Sequence, residues 1–126
     1  MEQKAIYDLH AEAKEWKNKL DFYRDDLSVM EKRISEVASK NTSKDVQAFV
    51  EHFQNQVILQ KEQLDLMEKE VRKFSHSLDE EVTKNPVAVD HRKVSDNQSL
   101  RDKVDTFEKI FNDLRQELIR FLAKWM

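Results

Sequence analysis

Residues 6–37 have the sequence IYDLHAEAKEWKNKLDFYRDDLSVMEKRISEV, and their apolar side chains recur at alternating spacings of three and four. The recurring positions are Ile6, Leu9, Ala13, Trp16, Leu20, Tyr23, Leu27, Met30, Ile34 and Val37. This heptad repeat places each of these side chains on one narrow face of a long helix, facing a partner helix. The stretch therefore predicts a helix over about residues 3–40 and an all-α fold.

The same repeat occurs in two further stretches, which predict helices over about residues 44–84 and 96–124. The repeating positions are Val46, Val50, Phe53, Val57, Gln60, Leu64, Met67, Val71, Phe74 and Leu78 in the second helix, and Leu100, Val104, Phe107, Phe111, Leu114, Leu118, Phe121 and Trp125 in the third. Long helices joined by short connections predict an antiparallel up-down-up three-helix bundle. We expect residues 1–126 to form this bundle as a single domain.

Gln60 is the polar exception in these repeats. A lone polar residue at such a position usually fixes the register of neighbouring helices at some cost in stability, and this role is expected for Gln60 rather than catalysis. The composition agrees with long helices, because the chain contains no Gly and a single Pro, Pro86, which lies between the second and third predicted helices.

Composition also argues against several classes of function. The net charge is −3, and basic and acidic residues are mixed in every segment, so we expect no binding to nucleic acid or membranes. The absence of Cys excludes disulfides and thiolate metal sites. The sequence has no apolar run long enough to cross a membrane and no secretory signal, which favours a cytoplasmic location. It also lacks Glu-x-x-His, phosphate loops and nucleophile elbows, so we expect neither enzyme activity nor a cofactor.

The helix lengths predict an interface. If the chain reverses near residues 42 and 90, the third helix ends beside residue 55, and residues 31–54 form an arm of two helices only. Exposed apolar patches of this kind usually mark contact surfaces. The candidate residues are Ile34, Val37, Val46, Phe49, Val50 and Phe53 on the arm, with Phe22, Val29, Leu59 and Leu66 in stripes beside the repeats. The alternative for the stripes is the broad apolar face that a three-helix bundle itself requires.

We therefore expect a non-enzymatic interaction or structural module that acts by coiled-coil contacts. Homodimers with twofold symmetry are the commonest closed assembly, which favours a homodimer, and an unknown protein partner is the other candidate. A metal-binding protein is the alternative function. The register places His10 beside His76, and His91 lies at the same end, so imidazoles and nearby carboxylates could ligate Zn or Ni. Three surface histidines without a ligand are the simpler interpretation.

Several segments carry a resemblance to a known group of proteins. They are LHAEAKEWKNKLDFYRDDL (9–27), EHFQNQ (51–56), NPVAVDHR (85–92) and RFLAKWM (120–126). The chain resembles a family of small uncharacterised bacterial helical proteins of the kind found in Bacteroidetes. No activity is attached to that family, so the resemblance implies a bacterial, cytoplasmic protein and no site residues.

Overall fold

A computed structural model describes residues 3–86 and 92–126, and these residues form three helices and a two-stranded antiparallel sheet. The helices are α1 (Ile6–Lys40), α2 (Lys44–Lys84) and α3 (Gln98–Trp125), and the strands are β1 (Gln3–Ala5) and β2 (Lys93–Ser95). The predicted all-α, up-down-up three-helix bundle is confirmed. The short sheet was not predicted, and it makes α1 begin at Ile6 rather than near residue 3.

The core is the inner face that the heptad repeats define. Every repeating position of α1 and α2 is buried, as is every repeating position of α3 except Trp125, which is partly buried and packs against the core. A heptad repeat keeps one face of each helix turned towards its neighbours, and burial of that face supplies the main driving force for folding.

Side-chain contacts define the directions of the helices. Glu12 pairs with Arg101, and Tyr23 contacts both Glu108 and Phe111, so α1 and α3 run parallel. Contacts of Arg24 with Asp65 and of Glu31 with Lys61 show that α2 runs antiparallel to α1.

The strands join the beginning of α1 to the beginning of α3. Lys4 of β1 lies opposite Val94 of β2, and the backbone N–H of Ile6 donates to the carbonyl of Arg92 at 2.9 Å. At the other end of this connection, the Asn97 side chain caps α3 by accepting from the N–H of Leu100 at 3.0 Å. These contacts determine the level at which α3 starts.

The prediction that α3 stops part-way along the α1–α2 hairpin is wrong. The ring of Phe121 packs against Phe53 at 4.9 Å and Phe49 at 5.9 Å between centroids. The side chain of Asn41, at the turn between α1 and α2, donates to the carbonyl of Trp125 at 3.2 Å. The α3 helix therefore reaches the far end of the hairpin, because β2 sets its start at a level that a simple reversal near residue 90 does not reproduce.

This shift removes most of the predicted arm from the surface. Five of its apolar residues are at most 4% exposed, namely Ile34, Val37, Val46, Val50 and Phe53. They belong to the core of the bundle and offer no contact surface without unfolding. Phe49 is the exception among the predicted arm residues, since half of its side chain is exposed.

Candidate interaction surface

The remaining predicted interface residues lie on the surface of α1 and α2. Phe22, Val29, Phe49, Leu59 and Leu66 are each 50–55% exposed. Phe22 borders the groove between α1 and α3, whereas Leu66 borders the groove between α2 and α3. The ion pairs of Arg24 with Asp65 and of Lys61 with Glu31 place this part of α1 beside the same part of α2. Phe22 and Leu66 nevertheless border different grooves.

The α1–α3 groove is crossed by charged and hydrogen-bonded side chains. The Tyr23 hydroxyl donates to Glu108 at 2.5 Å, and Lys19 pairs with the same carboxylate at 3.7 Å. Burial, together with the hydrogen bond to Glu108, raises the pKa of Tyr23 well above its usual value. Arg115 lies 3.7 Å from Asp26 further along the groove. A partner here would have to displace or desolvate these charges, which disfavours this groove as an apolar docking surface.

The α2–α3 groove is more apolar. Its volume is about 690 Å³, its rim includes Leu66 and Ile110, and Met67 and Phe107 form its buried floor. The ion pair between Lys103 and Glu70, at 2.8 Å, crosses one end of it. Large exposed apolar side chains on the rim of a groove are typical of a protein-binding surface.

A second heptad repeat on α2 includes two residues that line this groove, Gln63 and Leu66. Its members, which we call the α2 stripe, are Phe49, His52, Gln56, Leu59, Gln63 and Leu66, again at spacings of three and four. None of them is acidic, Lys or Arg, although such residues make up 37% of the chain. All six are exposed or partly exposed. The same spacing on α1 gives Lys19, Phe22, Asp26, Val29 and Arg33, in which charges separate the apolar residues.

Half of the α2 stripe, namely Phe49, Leu59 and Leu66, is among the residues predicted from the sequence, and the other half is not. His52, Gln56 and Gln63 are polar and therefore carry no hydrophobic signal. The signal that could have found them is the absence of charge at six consecutive positions of a repeat that lies outside the core.

The candidate metal ligands are brought only partly together. His10 and His76 border the same groove between α1 and α2, where His10 lies 3.8 Å from Asp79 and His76 lies 3.2 Å from Glu80. His91 lies outside the described residues. Within residues 3–86 and 92–126, no three His, Asp or Glu side chains form a group that could hold a metal ion.

A charge cluster that was not predicted from the sequence lies at the start of α3. The Arg101 guanidinium donates to both oxygens of Asp96, each at 2.8 Å, and also binds Glu12 through Nε at 2.9 Å. Its charge lies 5.8 Å from the Trp16 ring centroid, and Lys4 approaches Asp96 at 3.4 Å.

The electrostatics of this cluster follow from burial and pairing. The Asp96 side chain is only 3% exposed. Hydrogen bonds from Arg101 lower the pKa of Asp96 to about 2 despite its burial, and the hydrogen bonds to Glu12 and Asp96 raise the pKa of Arg101. Because the Arg101 fork binds both carboxylates, this arrangement joins α1 to α3 and favours a structural role.

Gln60 is buried in the floor of the α2–α3 groove. It is 6% exposed, and its side-chain oxygen has no hydrogen-bond partner within the described part of the chain. An unsatisfied buried carbonyl oxygen costs about 1–3 kcal/mol. This cost fits a polar residue that fixes register at the expense of stability.

Gln60→Leu is therefore expected to raise the free energy of unfolding by roughly 1–2 kcal/mol, because leucine removes the unsatisfied oxygen without a large change of volume. Urea unfolding at low protein concentration, followed by circular dichroism, measures the change. Gln63→Leu is the matched control, since Gln63 borders the same groove but is exposed, and it should change stability little. A loss of stability in Gln60→Leu would mean that the amide makes a favourable interaction.

Comparison with known proteins gives no match to any family model, curated protein or solved structure. Across the described residues, no helix is both long and apolar enough to cross a membrane. The three-helix architecture and the grooves beside α3 are therefore the observations on which a function can be based.

Proposed function

We propose that this protein is a non-enzymatic helical module that associates with itself through the α2–α3 groove. The observation that carries the proposal is the α2 stripe, a heptad repeat that is solvent-exposed and free of charge. Surface helices normally interrupt such repeats with charged residues, which keep the repeat solvated. An exposed repeat without charges is typical of a helix that packs against another chain.

The neighbouring α3 helix extends the apolar surface. Ile110 is 47% exposed and borders the groove together with Gln63 and Leu66. At the other end of the stripe, the ring of Phe49 packs against Phe121 of α3, and half of the Phe49 side chain remains exposed to solvent. A partner helix in the groove would therefore bury aromatic and aliphatic side chains from both α2 and α3, which are the residue types that dominate binding energy at interfaces.

The proposal contains no catalytic step, and the electrostatics support this. The groups whose pKa values are shifted, among them Tyr23, Asp96 and Arg101, each bond to another side chain of the same chain. Such pairing favours structural ion pairs and hydrogen bonds over groups prepared to exchange protons with a substrate. A bacterial origin and a cytoplasmic location are part of the same proposal and depend on the sequence resemblance.

Leu66→Lys is expected to weaken self-association by roughly 100-fold, because it places a charge in an apolar interface, where removing that charge from water costs free energy. Sedimentation equilibrium across a concentration series measures the dissociation constant. Val29→Lys is the matched control, because Val29 has a similar exposure but lies on α1, outside the α2–α3 groove. It should leave the dissociation constant unchanged.

The outcome of this experiment shows which surface of the protein forms the interface. If Val29→Lys disrupts association and Leu66→Lys does not, the interface lies on α1 and not in the α2–α3 groove. If the unmodified protein remains monomeric at concentrations of about 100 μM, far above the micromolar range of ordinary specific interfaces, self-association is not its function.

A further inference from the structure

The six positions of the α2 stripe are spaced by three, four, three, four and three residues, and this order is the same when the helix is read from either end. We propose that a second copy of the chain docks with its α2 antiparallel to the first, around a twofold axis that passes between Val57 and Ile58. This inference rests on the proposed self-association and specifies its geometry. In a twofold interface the same patch is used by both copies, so a residue and its partner exchange roles across the axis.

The register follows from the alternating spacings of the stripe. With the axis at this point, Phe49 lies opposite Leu66 of the second copy, and Leu59 lies opposite Gln56. His52 then lies opposite Gln63. Every layer of the interface pairs residues of the stripe with each other, and every exposed apolar residue of the stripe is covered. Since the α2 stripe repeats at heptad spacing, its residues stay in contact along the whole paired length.

The charges beside the stripe are compatible with this register. The exposed positions that flank the stripe meet with an offset of two residues from the direct pairing, so Glu62 lies near Asn55 of the second copy and Lys69 lies near Ala48. These flanking positions therefore bring no like charges together. The repeat continues to Asp45 before Phe49 and to Glu70 after Leu66, and both residues are charged. The register places Asp45 of one copy opposite Glu70 of the other. The ion pair of Glu70 with Lys103 at 2.8 Å supplies a positive charge at that place.

The dimensions of the surface suit a dimer of moderate affinity. The stripe is about 27 Å long at about 1.5 Å per residue. The face of two adjacent helices is about 20 Å wide, given axes about 10 Å apart. The projected area is therefore about 500 Å² per copy. Because protruding side chains make the solvent-accessible area larger than the projected area, the buried area approaches the roughly 800 Å² that each partner of a specific interface contributes.

Disulfide cross-linking tests this geometry, because the chain has no Cys of its own. The variants are His52→Cys and Gln63→Cys, which change exposed residues and keep Phe49, Leu59 and Leu66 in place. Mixing the two variants under mild oxidation is expected to give a covalent dimer that contains one copy of each. A disulfide requires Cα atoms within about 7 Å, and the proposed register brings these positions opposite each other.

Each variant alone is the control. In the antiparallel register, residue 52 of one copy lies about 16 Å along the axis from residue 52 of the other, and the same holds for residue 63. Neither variant alone should therefore form a covalent dimer. Oxidation of the mixture in denaturant, and oxidation with Leu66→Lys added to both variants, should also give no enrichment of the mixed dimer.

The outcomes distinguish this inference from the proposed function. A covalent dimer from each variant alone would indicate parallel helices and overturn the antiparallel geometry while self-association stands. No cross-link in the mixture, with a dimer present by sedimentation, would also overturn the geometry. A monomer by sedimentation, without cross-links, would overturn both the geometry and the proposed function.

Discussion

Arg101→Met is expected to lower the free energy of unfolding by roughly 3 kcal/mol, because it leaves the carboxylate of Asp96 buried without its main partner. The Asp96 side chain is 3% exposed and accepts from the Arg101 guanidinium through both oxygens. Lys4, at 3.4 Å, compensates part of the loss. Urea unfolding followed by circular dichroism, at neutral pH, measures the effect.

The control is Lys103→Met, on the same helix. Lys103 pairs with Glu70 at 2.8 Å, but its side chain is 53% exposed, so the loss should be below about 1 kcal/mol. Equal losses in the two variants would contradict the role assigned to the buried cluster. The double change Asp96→Asn with Arg101→Met should recover part of the lost stability, because it removes the uncompensated charge.

The effect of Arg101→Met should also depend on pH. In the unmodified protein the pKa of Asp96 is lowered to about 2 from its ordinary value of 3.8, so its contribution to stability is complete above the ordinary value and is lost as the pH falls towards 2. In the variant, burial without the guanidinium raises the pKa of Asp96. Acid therefore neutralises a destabilising charge in the variant, and the difference in stability between the two proteins should narrow as the pH falls.

Phe111→Ala is expected to lower the free energy of unfolding by about 3–5 kcal/mol, because it leaves a cavity at a point where α1 and α3 meet. Phe111 is fully buried, and its ring centroid lies 4.5 Å from that of Tyr23 and 6.0 Å from that of Phe107. Loss of the ring removes apolar contacts and the aromatic pairing together. Chemical denaturation again gives the value.

Phe22→Ala is the matched control for this change. Phe22 also contacts Tyr23, at 5.8 Å between ring centroids, but it is 55% exposed. Its truncation should cost less than about 1 kcal/mol in the monomer. A large loss in Phe22→Ala would mean that the α1–α3 groove is packed more tightly, by this chain or by a second copy, than the exposure of Phe22 implies.

The candidate surface illustrates how far sequence patterns extend. Leu59 and Leu66 were identified from the sequence because they are apolar residues beside a repeat, and they remain exposed in the structure. Ile34 and Val50 have the same apolar character, yet they are buried. Residue type alone cannot separate these groups, because exposure depends on which helix lies over each position. Which of these apolar residues are buried depends on where α3 begins and ends.

The sequence by itself determined the helices and their inner faces. The 3.6-residue period of a helix assigns each residue to a face whatever the partner is, so the repeats from Ile6 to Val37, from Val46 to Leu78 and from Leu100 to Phe121 identified buried positions correctly. The ends of α1 at Lys40 and of α2 at Lys84 also agree with the predicted bounds. For α2 the local signal is Pro86, because the residue before a proline avoids the α conformation.

Only the tertiary structure decided the axial position of α3, and with it the covered surface. A heptad repeat fits its neighbour almost equally well after a shift of seven residues, so periodicity does not fix the level at which helices meet. That level is set by contacts between residues distant in the chain, such as β1 with β2 and Glu12 with Arg101. These contacts carry no periodic signal, and they leave the α2 stripe, rather than the predicted arm, as the exposed apolar surface.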